Sequence, residues 1–183
     1  MKKHVFSAAM MLVFSGASFA ADTPVAPAKA NQGGGVIKFT GAIIDAPCSI
    51  SPDSVDQTVD MGQVANSLLE QQGEGALRPF EIKLESCAAD TAKKVTVAFN
   101  GIADDTAKSL LALNGTAKGA AIAIVNQFDG SKVTLGMPTS AAEVMAGENT
   151  LKFGAKLVSN LAKGEKATPG EYSATADFVM SYQ

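Results

Sequence analysis

The feature that most constrains this chain is a period of two. Apolar residues recur at every second position in segment after segment. Pro79 to Cys87 puts Phe80, Ile82 and Leu84 on one face and Glu81, Lys83 and Glu85 on the other. Lys94 to Asn100 repeats the pattern through Val95, Val97 and Phe99, and Leu151 to Leu157 through Leu151, Phe153, Ala155 and Leu157. Successive side chains of a strand point to opposite faces, so such runs fold as strands with one face buried. Gly119 to Gln127 is apolar enough to be a buried strand, and Thr58 to Met61 and Lys132 to Leu135 are shorter candidates. Turns are expected at Asn100-Gly101, Asn114-Gly115, Phe128 to Ser131 and Pro169-Gly170. Helical pattern is confined to Ala65 to Gln72 and a turn within Ala103 to Leu111. About seven short strands with turns at near-regular spacing give an all-β sandwich in one domain.

The first twenty residues stand outside that fold. Lys2 and Lys3 form a positive start, Val5 to Phe14 is mostly apolar, and Ser18-Phe19-Ala20 offers small residues where a signal peptidase reads. Cleavage after Ala20 is expected, and the apolar stretch is too short to span a membrane. Removing 20 of the 183 residues leaves 163, and losing Lys2 and Lys3 moves the net charge from −3 to −5. A mildly acidic exported protein gives no electrostatic reason to expect nucleic acid as a partner.

Two cysteines, Cys48 and Cys87, lie in the exported part. An oxidising compartment makes their disulfide the default. The alternative, a redox or metal pair, has neither CxxC spacing nor accompanying ligands. The single histidine, His4, leaves with the signal, and there is no tryptophan. Ser-His-Asp and Cys-His nucleophile systems and histidine zinc sites therefore cannot be built. Carboxylate chemistry would have to use Asp104-Asp105 or Glu143 and Glu148, which read as solvated loops. The expectation is no enzyme, no cofactor, no metal and no small-molecule substrate.

Both ends of the exported part are strand-like. Ala21 to Gly35 is a loose Ala-, Pro- and Gly-containing leader. Behind it, Val36 to Ile44 carries Ile37, Phe39, Gly41 and Ile43 on one face. Glycine inside a strand marks close backbone approach or a shallow pocket. The C-terminal run from Tyr172 to Tyr182 puts Tyr172, Ala174, Ala176, Phe178, Met180 and Tyr182 on one face, after Gly170.

The run from Phe39 to Ile50, Phe39-Thr40-Gly41-Ala42-Ile43-Ile44-Asp45-Ala46-Pro47-Cys48-Ser49-Ile50, resembles the opening of major pilins of the chaperone–usher type 1 and P-fimbria family. Leu84-Glu85-Ser86-Cys87, Gly170 and the penultimate Tyr182 are similar to that family too. The resemblance implies an incomplete immunoglobulin-like β-sandwich, completed by a donor strand from a neighbouring subunit or chaperone. It implies a signal peptide over 1–20, a leader and donor-strand extension over 21–44, and a pilin domain over 45–183. Gly35, Ile37, Phe39, Gly41 and Ile43 would form the donor strand. Gly170, Tyr172, Ala174, Ala176, Phe178, Met180 and Tyr182 would form the acceptor side. The implied partners are neighbouring pilins, a periplasmic chaperone and an outer-membrane usher, and the implied location is a surface fimbrium supporting adhesion. A minor adaptor pilin or small binding module of the same system is the alternative.

Overall fold

The alternating runs become the strands of two antiparallel sheets. The computed structural model describes residues 35–183 apart from 89, 91–92 and 105–108. Residues 35–42 belong to one unit and residues 43–183 to another. No helix or strand forms over 35–44.

Within the larger unit the elements run β1 (Ser49–Ile50), α1 (Pro52–Val55), α2 (Asn66–Glu70), β2 (Arg78–Cys87), β3 (Lys94–Gly101) and β4 (Asn114–Gly115). There follow β5 (Ala120–Asn126), β6 (Ala142–Glu143), β7 (Gly147–Ser159), β8 (Tyr172–Ser173) and β9 (Ala176–Tyr182). One sheet has the order β1-β2-β7-β5, a second β6-β3-β9, and β4 pairs separately with β8.

The first sheet is built on β7, which pairs with β2 from Arg78↔Ala155 onward and with β5 from Ala120↔Ser159 to Asn126↔Phe153. The two sheets meet through aromatic rings. Phe80 of β2 and Phe153 of β7 stack at 5.7 Å, and Phe99 of β3 meets Phe153 edge-on at 5.0 Å. Ile82, Leu84, Val95 and Val97 are the largest fully buried side chains of the core. Each comes from the apolar face of an alternating run, as the pleat requires.

Cys48 and Cys87 are joined, with Cα atoms 4.1 Å apart and both residues buried. The bridge ties the entry to β1 to the end of β2, next to a main-chain bond from Ala88 N to Pro47 O. Just before Cys87 the β2–β7 register shifts, with Ser86 at φ 53°. One extra residue on β2 re-aims the backbone so that Cys87 can face inward.

Several sequence expectations change. Thr58 to Met61 forms no strand, and Lys132 to Leu135 reduces to one bridge, Val125↔Lys132. Asn100-Gly101 ends the β3 ladder, and Asn114-Gly115 is β4 itself, so neither closes a hairpin. Asn-Gly makes a hairpin only where its flanking strands pair with each other. Here β3 instead pairs with β6 and β9, from much later in the sequence. The C-terminal run is also two strands. β8 pairs with β4 and β9 with β3, with Ala174-Thr175 between them. A short helix over Pro52–Val55 was not anticipated, although Pro in the first turn suits a helix start. The signal segment and most of the leader fall outside the described residues, as does much of the expected Ala103–Leu111 turn.

Candidate functional site: a groove along the last strand

β9 is paired along one edge only. Its ladder to β3 runs from Val95↔Tyr182 to Gly101↔Ala176. No strand among the described residues pairs with its other edge. The register shows which groups that edge presents. Gln183 and Lys94 exchange both main-chain bonds, at 2.9 and 3.0 Å. In an antiparallel ladder bonded pairs alternate, so Ser181, Val179 and Asp177 also bond toward β3. The N–H and C=O groups of Ala176, Phe178, Met180 and Tyr182 therefore point to the unpaired edge.

The same four residues turn their side chains inward. Tyr172, Ala174, Ala176, Phe178, Met180 and Tyr182 are all half-buried and packed on the core. On the opposite face Val179 is 57% exposed. The even-numbered face, then, is the one toward the interior. Its burial stays partial because a groove of about 1470 Å³ lies beside it. Tyr172, Ala174, Ala176 and Phe178 line one wall, as does Gly170. Met180 and Tyr182 do not line it. Phe80, Phe99, Ile122 and Leu157 reach it from the sheets, and residues 54–66 form the far wall.

That far wall was missed from sequence. It includes Thr58–Met61 and carries only an irregular mixture of polar residues with Val59, Met61 and Val64. Its apolar members face the groove without a periodic signal to announce them. The role of Gly170 becomes clear only in three dimensions. A Cβ there would sit 2.4 Å from Thr116 Oγ1 and 2.6 Å from the Ala117 nitrogen. The backbone before β8 can approach residues 116–118 only without a side group in the way.

The groove mixes apolar side chains with polar ones, among them Asp60, Gln63, Ser173 and Thr175. Tyr172 Oη and Arg78 Nε are buried without a hydrogen-bond partner. Burial raises the Tyr172 phenol above its ordinary range, Asp60 adds to this, and Arg78 opposes it. Burial likewise raises Tyr182. Among the described residues no group of His, Cys, Asp or Glu could hold a metal. Asp104 accepts a hydrogen bond from Asn160 Nδ2 at 2.7 Å.

Ahead of the sandwich, large apolar side chains are bare. Val36 is 97% exposed, Ile37 78%, Phe39 87% and Ile43 104%. Built Cβ atoms at Gly35 and Gly41 would meet nothing within 4 Å.

Comparison with known proteins gives a consistent result. The family model described as Fimbrial protein matches residues 37–183. Fimbria A protein of Serratia marcescens is 47% identical over 84% of this chain and 87% of its own length. The Major MR/P fimbria protein of Proteus mirabilis strain HI4320 is 40% identical, over 84% of this chain and 87% of its own length. Among solved structures, a subunit of a chaperone–usher pilus studied for rod uncoiling superposes with TM-score 0.75 at 34% identity, covering 83% of this chain and 97% of that one. The P pilus rod subunit PapA superposes with TM-score 0.67 at 33% identity, covering 75% of this chain and 100% of that one.

Proposed function

This chain belongs to the fimbrial protein family as a structural pilus subunit with an incomplete immunoglobulin-like sandwich, and from that premise we propose that it polymerises head to tail by donor-strand exchange. The observation that carries the proposal is the double use of one set of residues. Ala176 and Phe178 turn both their backbone groups and their side chains toward an edge unpaired among the described residues and the groove beside it. A strand laid there gains main-chain bonds and side-chain burial together. Strand addition is the mode already established for chaperone–pilin pairs.

The donor is residues 35–44 of the next copy. Ile37, Phe39 and Ile43 are its anchors, and Gly35 and Gly41 supply shallow positions. Burying three such side chains is worth roughly 5–9 kcal/mol before ordering costs. Donor and acceptor are different surfaces, so the contact is heterologous and propagates as an open filament. It also covers a strand edge that would otherwise invite aggregation.

The proposal extends to the route. The signal over 1–20 exports the protein to the periplasm, a chaperone fills the groove there, and an usher passes the subunit to an extracellular fimbrium. The subunit acts by assembly and performs no catalysis.

The test is deletion of residues 21–44 with the signal retained. Full-length protein sheared from the cell surface should run as a ladder on an unboiled SDS gel and collapse to one band after boiling in acid, because such polymers unfold very slowly. The deletion variant should be exported and give no ladder. A ladder from that variant would overturn the proposal.

A further inference from the structure

The two Asn-Gly pairs close no hairpin, and the fold treats them differently. Asn-Gly is the dipeptide most open to deamidation, because glycine puts no Cβ in the way of its own nitrogen. That nitrogen, its proton lost to hydroxide, attacks the amide carbon, Cγ, of the asparagine. A new N–Cγ bond forms, the Cγ–Nδ2 bond breaks, and ammonia departs to leave a five-membered succinimide. Water then opens the ring at either carbonyl, giving aspartate or isoaspartate. No oxidant or reductant is involved.

The attack requires the asparagine to leave extended geometry, whose ψ near +135° holds the next nitrogen away from Cγ. Reactivity is therefore set by how readily the local backbone opens. Asn100-Gly101 closes a ladder of seven successive registers with β9. Its neighbours are bonded beyond that ladder, by Gly136 N to Phe99 O at 2.7 Å and Ala112 N to Ile102 O at 2.8 Å, whereas beside Gly115 the longer bonds from Thr116 N and Ala117 N share Glu171 O, at 3.0 and 3.2 Å. Both glycines are closely packed, with Leu111 Cδ1 2.3 Å and Thr175 O 3.0 Å from a Cβ built at Gly101, and Glu171 O 2.3 Å and Tyr172 Cα 3.0 Å from one built at Gly115, so packing does not separate the pairs. Asn114-Gly115 lies outside both main sheets, in a ladder of only two registers, Asn114↔Ser173 and Gly115↔Tyr172. Both pairs are exposed, so the ladders make the difference, and Gly115 sits at φ +142°.

We infer that Asn114-Gly115 is a deamidation site of the folded protein, and that Asn100-Gly101 is protected. The consequence reaches the groove. Leu113 and Tyr172, beside and opposite the pair, both line it. Isoaspartate would route the backbone through the former side group and break the β4–β8 register. Either product adds a carboxylate close to Glu171, whose carbonyl oxygen already lies against Gly115.

Trypsin separates the two pairs, into peptides 95–108 and 109–118, and Asn114 is the only amide residue in the second. Folded full-length protein is incubated at pH 7 and pH 9, digested and weighed for amide-to-acid conversion. Peptide 109–118 should convert about tenfold faster than 95–108, or more, with both faster at pH 9. In concentrated urea the two rates should converge. Asn114→Gln should remove the conversion from 109–118. Equal rates in the folded protein, faster conversion of 95–108, an unchanged ratio in urea, or conversion that survives Asn114→Gln would each overturn the inference.

Discussion

β7 and β9 carry the same alternation yet reach different ends. Leu151, Phe153, Ala155 and Leu157 of β7 are all buried, because β2 and β5 flank the strand and the second sheet covers it. Ala176, Phe178 and Met180 of β9 are only half-buried. Phe153 touches both Phe80 and Phe99, whereas Phe178 reaches the aromatic cluster through Phe99 alone, at 6.4 Å. A strand's pattern thus states which face wants cover. Its neighbours decide whether the cover exists within the same molecule.

Substitutions can test that contrast. The largest effect is expected from Phe153→Ala. It removes a ring packed from both sheets and should lower stability by about 3–5 kcal/mol in urea unfolding of the separated subunit. A loss below about 1 kcal/mol would mean that β7 is no better packed than β9. Replacing both Cys48 and Cys87 by Ala opens a loop with sequence separation 39. Loop entropy puts the loss at about 2–4 kcal/mol, again read as a urea midpoint.

Phe178→Ala should cost the separated subunit only about 1–2 kcal/mol, because its ring is already half out of the core. The same change should speed dissociation of the polymer in hot SDS. Equal losses for Phe153 and Phe178 in the separated subunit would erase the distinction between the two strands.

The smallest effect is electrostatic. Glu74 bonds to Lys156 of β7 and lies 3.8 Å from Lys132. The Lys156 contact holds its carboxyl below the ordinary carboxylate range. A depressed folded pKa stabilises the protein above the ordinary range, and that stability is lost as pH falls through the depressed value. Glu74 is exposed and Lys156 half-buried, so Glu74→Gln should cost a few tenths of a kcal/mol at neutral pH. The difference should vanish in high salt and at acid pH, as comparison of melting curves would reveal.

Much of the sandwich was legible in the sequence. The faces of β2, β3 and β7 follow from alternation alone, and the turn at Phe128 to Ser131 forms as expected. Asp129 there accepts bonds from the Ser140 hydroxyl and then from Ser131, which pull its carboxyl down to about 2. The groove was legible only in outline. The inward face of β9 can be read off its residues, but its empty edge cannot, because an unpaired strand and a paired one share the same local pattern. The far wall over residues 54–66 was invisible, since it has no period. The break at Ala174-Thr175 was missed as well, because the apolar alternation runs through it unbroken while the pairing partner changes from β4 to β3.

Local chemistry settled the strand faces and the cysteine pair, because each is a property of residue type and short-range spacing. Tertiary structure decided that the last run splits, that neither Asn-Gly is a hairpin, and that β9 has one edge unpaired among the described residues, over a groove of about 1470 Å³. Those outcomes depend on which distant strand arrives beside which. Pairing of that kind is decided by the summed burial of all the strands together.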